Sequence, residues 1–142
     1  MIPFSSGRRR MTVVAGLVLV ACGSPLEVEA NTAVASLGCA PDDGPATTIT
    51  LSLDDGGQGS ALTIAVFGPR AELRPGRWSI DGRGASASWC ADGSCAPAGP
   101  GALRLRRVDP DRIDGSVDVR VPGGRVVWGF AAGWVGDPVL CG

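Results

Sequence analysis

Hydrophobic and polar positions alternate with a period of two over much of the chain. Such alternation is typical of half-buried antiparallel strands, because successive side chains of a strand point to opposite faces. No stretch shows a helical stripe, and the 22 Gly and 11 Pro would interrupt long helices. The pattern predicts buried strand faces at Ile49, Leu51 and Leu53; at Leu62, Ile64 and Val66; at Leu103 and Leu105; at Ile113, Val117, Val119 and Val121; and at Val126, Trp128, Phe130, Ala132 and Trp134.

Turn sequences rich in Gly, Pro and Asp separate these segments, at 41–44, 54–57, 74–76, 81–82, 109–111 and 122–124. Their spacing predicts an all-β fold over residues 32–142. The expected architecture is an antiparallel β-sandwich or flattened barrel of seven to nine short strands. The clearest local prediction is a hairpin whose strands cover 112–121 and 125–135, joined through Pro-Gly-Gly.

The first 22 residues have a different organisation. Arg8, Arg9 and Arg10 precede the apolar run 12–20, which is too short to span a membrane as a helix of about 20 apolar residues. A basic start followed by a short apolar core is typical of a signal peptide. The alternative is a buried strand or helix of the fold, which would leave the arginine cluster unexplained.

Leu19, Val20, Ala21 and Cys22 follow this apolar run and resemble the lipobox of bacterial lipoproteins at every position. The resemblance implies transfer of a diacylglyceryl group to the Cys22 thiol and cleavage between Ala21 and Cys22. It predicts a signal peptide over 1–21, a lipidated cysteine and tether over 22–31, and a domain over 32–142. The pair Arg9-Arg10 also allows a twin-arginine export route, although the usual Phe-Leu after the pair is missing.

Anchoring through lipid predicts a membrane as the first partner, because two or three acyl chains hold a protein durably at a bilayer. Gly23 and Ser24 follow the anchor, and the absence of Asp after Cys22 favours the outer membrane if the cell has two membranes. Without residues 1–21 the chain has 10 Arg and 14 acidic residues, a formal charge of −4. A mildly acidic domain without a basic stripe argues against nucleic-acid binding.

Four cysteines remain once Cys22 is assigned to lipid. An even set in an oxidising compartment predicts two disulfides, for which three pairings are available. Cys90 and Cys95 enclose the turn sequence Ala-Asp-Gly-Ser, so we favour pairing them, which leaves Cys39 with Cys141. A zinc site is the alternative, but it lacks paired short spacings and His, so we assign no metal ligand.

A second resemblance covers residues 60–141. The segments 111–117 and 129–132, the terminal Cys141 and the Leu-Arg-Pro-Gly-Arg-Trp sequence at 73–78 resemble the C-terminal half of small uncharacterised all-β bacterial lipoproteins. The chain differs from them by an insertion over 134–140 before the final cysteine. This resemblance implies the fold class and no activity.

The composition disfavours an enzyme. Catalysis commonly uses His, Lys, Tyr or a reactive Cys, and the chain has no His, Lys or Tyr. We therefore assign no catalytic residue and no cofactor, although a pair of carboxylates remains an alternative. The acidic segment 109–115 resembles a calcium loop in part, but Ile113 stands where an oxygen ligand is needed, which favours a solvated turn.

Three residues are candidates for a binding surface. Trp134 lies where the last strand ends, and Arg104 and Arg106 share one short strand, where anionic headgroups or a polysaccharide could bind. The other tryptophans, Trp78 and Trp89 among them, are expected in the core. The function expected is a non-enzymatic binding or structural module of the cell envelope, contacting another envelope protein or a polysaccharide. A small-ligand carrier with an apolar cavity is the alternative.

Overall fold

The structure is a computed structural model that describes residues 26–29, 32–53, 59–136 and 141. The predicted signal peptide, the lipidation site Cys22 and the predicted acidic turn at 54–57 lie outside the described residues.

The described part of the chain forms ten strands and one short 3-10 helix. The all-β prediction is confirmed. No helix within the described ranges has the length and apolar character needed to cross a membrane. The elements are β1 Leu26–Glu29, β2 Thr32–Cys39, β3 Pro45–Leu53, β4 Ser60–Phe67, the 3-10 helix Arg70–Glu72, β5 Gly76–Ile80, β6 Ala85–Ala91, β7 Ser94–Ala98, β8 Gly101–Val108, β9 Arg112–Val121 and β10 Gly124–Trp134.

Eight of the strands close into a barrel. Their order is β2-β3-β4-β6-β5-β8-β9-β10, and β10 pairs with β2 to complete the ring. The sequence left a sandwich and a flattened barrel open, and the closing pair β10–β2 decides for the barrel. Strand β7 lies outside the ring and pairs with β6. The pairing between β5 and β6 is the shortest in the ring, because these strands share the single pair Ile80 and Ala85.

The predicted C-terminal hairpin is confirmed. Strands β9 and β10 pair from Val121 opposite Gly124 to Arg112 opposite Gly133. The turn at Pro122 and Gly123 uses a glycine with φ of 85°, a conformation that an L side chain rarely adopts. This hairpin has the longest strand pairing in the barrel.

Strands β1 and β2 lie along the same edge of β10. Strand β9 occupies the other edge of β10, so both must share the remaining one. Leu26 pairs with Val126, and Ala35 pairs with Trp134, both in parallel. Residues 26–29, which belong to the tether predicted over 22–31, therefore form a strand, and a tether would be shorter than that range.

Side chains fill the interior of the barrel, as expected for eight strands, whose lumen is just wide enough for them. The alternating rows predicted on β4, β8, β9 and β10 point inward as expected. Thr47 is the only buried polar residue among those described. The largest fully buried side chains are Trp128, Ile49, Leu51, Leu62, Ile64, Leu103, Leu105 and Ile113.

One inward position of β9 is a glycine for a steric reason. A Cβ at Gly115 would lie 2.3 Å from the Arg104 carbonyl oxygen and 3.1 Å from Cζ of Phe130. Gly115 thus lets β8 approach β9 closely and leaves room for the Phe130 ring.

Both favoured disulfides are present. Cys39 and Cys141 are joined with a Cα–Cα distance of 5.7 Å across 102 residues, which ties the end of β2 to the end of the chain. Cys90 and Cys95 are directly opposite each other on β6 and β7 and close the hairpin around Asp92 and Gly93.

Candidate binding pocket at the Trp134 end

The barrel has two distinct ends. The hairpin end contains the turn at Pro122 and Gly123 and the first residue of β1, Leu26. The Trp134 end contains the last residue of β10, Trp134, and the loop 109–111 between β8 and β9. The backbone N–H of Trp134 donates to the Asp111 carbonyl at 3.3 Å, which joins this loop to β10.

An open pocket of about 530 Å³ lies at the Trp134 end. The 3-10 helix, the end of β8, the 109–111 loop and the end of β10 each contribute to its wall. The lining is mostly apolar and includes one aromatic ring and one guanidinium. Its residues are Arg70, Ala71, Val108, Asp109, Pro110 and Trp134.

The Trp134 side chain is held on two sides. The guanidinium carbon of Arg70 lies 3.7 Å from the centre of the Trp134 ring, a cation–π contact. The Trp134 Nε1 donates to the Asp109 carbonyl oxygen at 3.3 Å. Trp134 also packs against the core, so the ring is fixed where the lumen ends.

Arg70 is fixed as well. Its Nη2 donates to the Pro110 carbonyl oxygen at 2.7 Å, across the pocket from the 3-10 helix to the loop. A guanidinium has five N–H donors, and this contact uses one of them. The remaining donors of Arg70 leave the pocket able to bind an acceptor or an anionic group beside an apolar surface.

The predicted binding residues divide between two places. Trp134 lies in the pocket, while the exposed side chains of Arg104 and Arg106 lie on the outer wall of β8. Sequence reasoning missed Arg70, which meets Trp134 only through the fold. The chain contains no local signal for that contact, because 64 residues separate the two partners.

Arginines engage the carboxylates of β9 and the neighbouring loop. Arg112 donates to both oxygens of Asp114 at 2.6 and 2.9 Å. Arg125 binds Asp118 in the same way, with Nε donating at 2.6 Å, and Arg107 forms an ion pair with Asp109. The hydrogen bonds from these arginines lower the pKa of Asp114 and of Asp118 below the usual aspartate range.

These pairings explain the acidic segment that resembles a calcium loop in part. Asp109 and Asp114 each belong to a separate ion pair with a neighbouring arginine. Within the described ranges, no three Cys, Asp or Glu side chains come together as metal ligands would. The described geometry fits a solvated turn.

A second depression lies on the outside of the barrel beside the short β5–β6 contact. It measures about 370 Å³ and opens between the turn at 81–82 and the end of β7. The peptide bond between Gly99 and Pro100 at its border is cis. No described charged side chain other than Asp81 lines it, so it offers little chemistry for specific binding.

The remaining tryptophans belong to the core, as predicted. Trp128 is 1% exposed, and its ring centre lies 5.7 Å from that of the partly buried Trp89. Trp78 also packs against the buried cluster. The Nε1 of Trp128 finds no acceptor among the described residues.

Comparison of the chain with models of protein families, with curated proteins and with solved structures found no match.

Proposed function

We propose that the protein is a lipid-anchored lipoprotein of the bacterial cell envelope that acts as a non-enzymatic binding module. Its contact surface would be the Arg70–Trp134 pocket. The observation that carries this proposal is the placement of the pocket and of the N-terminal strand at opposite ends of the barrel.

Anchoring is supported by residues 1–22. The arginine cluster, the short apolar run and the sequence Leu-Val-Ala-Cys stand in the order and spacing of a lipoprotein signal peptide. An acylated Cys22 would hold the chain at a bilayer without a spanning helix.

Export is supported by the disulfides. Both bridges are formed in the structure, and disulfides persist in oxidising compartments outside the cytosol. The bridge from Cys39 to Cys141 also ties a residue beyond β10 to the end of β2, which suits a domain exposed to proteases.

The direction of β1 supports the orientation. Leu26 pairs with Val126 at the hairpin end, and a chain from Cys22 to Leu26 spans at most about 14 Å. Trp134 lies eight positions beyond Val126 on the same strand, roughly 26 Å along it. Lipid on Cys22 would thus keep the hairpin end at the bilayer and present the pocket away from it.

Binding at the surface is favoured over carriage of a ligand inside the barrel. Buried side chains such as Trp128, Leu62 and Leu103 occupy the lumen. The larger described pocket is open and lies beyond the packed core, where a partner of any size has access.

Intact mass spectrometry of the membrane fraction tests the anchor. We expect a mass matching residues 22–142 plus two or three acyl chains, lower by four hydrogens than the reduced protein. The Cys22→Ser variant should lose the lipid and remain uncleaved. A wild-type mass that still contains residues 1–21 would overturn the proposal.

Photo-crosslinking in intact cells tests the contact surface. A crosslinking amino acid at Ala71, in the pocket wall, should give discrete adducts, which Trp134→Ala should reduce. The matched control carries the same amino acid at Asp92, an exposed position in the β6–β7 turn. Equal adducts at both positions, or adducts insensitive to Trp134→Ala, would remove the pocket from the proposal.

A further inference from the structure

Three exposed arginines form a group on the outer wall of the barrel, separate from the pocket. Arg77 of β5 lies directly opposite Arg104 of β8 in the antiparallel register. Arg106 lies two residues further on, at the irregularity that interrupts the β8–β9 register between Leu105 and Arg107. We call Arg77, Arg104 and Arg106 the arginine wall.

The arginine wall lacks the close ion pairs that its neighbours have. Ion pairs join Arg107, Arg112 and Arg125 to aspartates, whereas none joins a wall arginine to any described carboxylate. Like charges directly opposite each other on neighbouring strands destabilise a sheet. The opposition of Arg77 and Arg104 is therefore unfavourable in the isolated domain, whereas the charge of Arg106 interacts with that of Asp114.

The surroundings of the wall leave the guanidiniums accessible. Arg104 pairs with Ser116 on β9, and Ser116 pairs with Gly129 on β10. These small residues continue the row of Arg77 and Arg104 across the sheet. A chain-like molecule lying across β5, β8 and β9 would meet two guanidiniums and then Ser116, which is flanked on the same face of β9 by Asp114 and Asp118, each paired with an arginine.

We propose that the arginine wall binds an anionic polysaccharide. Guanidinium groups bind carboxylate, phosphate and sulfate oxygens through two parallel hydrogen bonds. The wall is exposed on the outside of the barrel, so it cannot enclose a small anion as a pocket does. A polymer with repeated charges gains from several weak contacts at once, which suits three arginines on one face.

The distance between the arginine wall and the hairpin end of the barrel favours a polymer over an anionic bilayer as the ligand. This step alone rests on the proposed anchoring. In the strand register Arg104 lies level with Gly129, five residues from Gly124 at the hairpin turn, and thus roughly 17 Å along the strand, or about 13 Å along the axis of a barrel whose strands tilt by about 40°. Electrostatic attraction to a surface is screened over about 8 Å at physiological salt. An upright barrel would therefore hold the wall outside the range of the headgroups.

Binding of the full-length protein, in non-ionic detergent, to immobilised dextran sulfate tests the proposal, with uncharged dextran as the negative matrix. We expect binding that weakens steeply with salt. The R77Q/R104Q variant should bind about tenfold more weakly. The matched control R83Q/R120Q removes two exposed arginines elsewhere and should stay within about twofold of wild type.

Three outcomes would overturn the proposal. One is equal loss in R77Q/R104Q and R83Q/R120Q, which would mean a general charge effect. Another is equal binding to uncharged dextran. The third is an effect of R77Q/R104Q on binding to phosphatidylglycerol vesicles but not on binding to dextran sulfate, which would assign the wall to a membrane surface. Cys22→Ser on a chain that begins at residue 22, and so lacks Arg8, Arg9 and Arg10, should bind dextran sulfate as wild type does, so a failure of the anchor and a failure of the wall are distinguishable.

Discussion

The guanidinium of Arg70 lies over the ring of Trp134, with 3.7 Å between the guanidinium carbon and the ring centre. One residue comes from the 3-10 helix after β4 and the other from the end of β10. Their contact joins two distant parts of the chain at the rim of the barrel and defines the candidate pocket.

Replacement of Arg70 should loosen this rim. Arg70→Ala removes the cation–π contact and the hydrogen bond to the Pro110 carbonyl, so we expect a loss of about 1 kcal/mol in the free energy of unfolding. Fluorescence quenching by acrylamide should increase, because the ring of Trp134 loses its cover. Urea unfolding measures the first effect.

Arg74→Ala is the control for that variant. Arg74 is exposed on the same connection between β4 and β5, and its side chain has no hydrogen bond or ion pair with another described residue. Equal quenching and equal stability in the two variants would mean that the Arg70–Trp134 contact is not maintained in solution.

Gly115→Ala should destabilise the barrel wall. The new methyl group would lie 2.3 Å from the Arg104 carbonyl oxygen, a backbone atom that cannot move alone. Overpacking of this kind costs about 1–3 kcal/mol. Gly133→Ala, with nothing within 4 Å of its added Cβ, should be neutral or slightly stabilising. Chemical denaturation of both variants would show whether β8 and β9 approach as closely as described.

Removal of the two disulfides should have unequal effects. In the chain-entropy model the bridge of Cys39 and Cys141, across 102 residues, contributes roughly 5 kcal/mol. The bridge of Cys90 and Cys95, across five residues, contributes roughly 2 kcal/mol. Replacing Cys39 and Cys141 by Ser should therefore lower the unfolding free energy more than replacing Cys90 and Cys95 by Ser. A larger effect of the short bridge would indicate that it contributes native contacts that the entropy model omits.

Stability should fall in acid because of the paired aspartates. Hydrogen bonds from Arg112 and from Arg125 lower the pKa of Asp114 and of Asp118 in the folded state. A lowered folded pKa contributes stability above the unfolded value of about 3.9, and this contribution is lost as the pH falls through the folded pKa. We expect the melting temperature to decline from about pH 4 downward.

The variant D114N/D118N isolates this contribution. It should melt at a lower temperature than wild type near neutral pH, and the difference should shrink in acid, where wild type also loses the charges. Asp111→Asn, an exposed aspartate with no described ion pair, should follow the wild-type profile. Parallel profiles for D114N/D118N and wild type would contradict the assignment.

Local patterns were sufficient to predict much of the fold. Period-two alternation identified the inward rows of β4, β8, β9 and β10, because a strand buries every second side chain irrespective of its partners. Pro-Gly-Gly predicted the hairpin turn, because Gly123 needs a positive φ. The short spacing of Cys90 and Cys95 made their pairing the favoured one, and the pairing of Cys39 with Cys141 followed from the remaining two cysteines.

Other features depend on contacts between distant parts of the chain, and local patterns do not contain them. Closure into a barrel depends on pairing of β10 with β2, nearly 100 residues apart in the sequence. Assignment of residues 26–29 to a strand depends on the free edge that β10 offers. Arg70 reaches Trp134, and Arg77 faces Arg104, only because the barrel brings their strands and loops together. The sequence by itself therefore determined the all-β class, the inward rows and the hairpin, and it predicts a lipoprotein-like leader and a surface at Arg104 and Arg106, whereas the tertiary structure alone decided the closed barrel, the pocket and the position of Arg77 opposite Arg104.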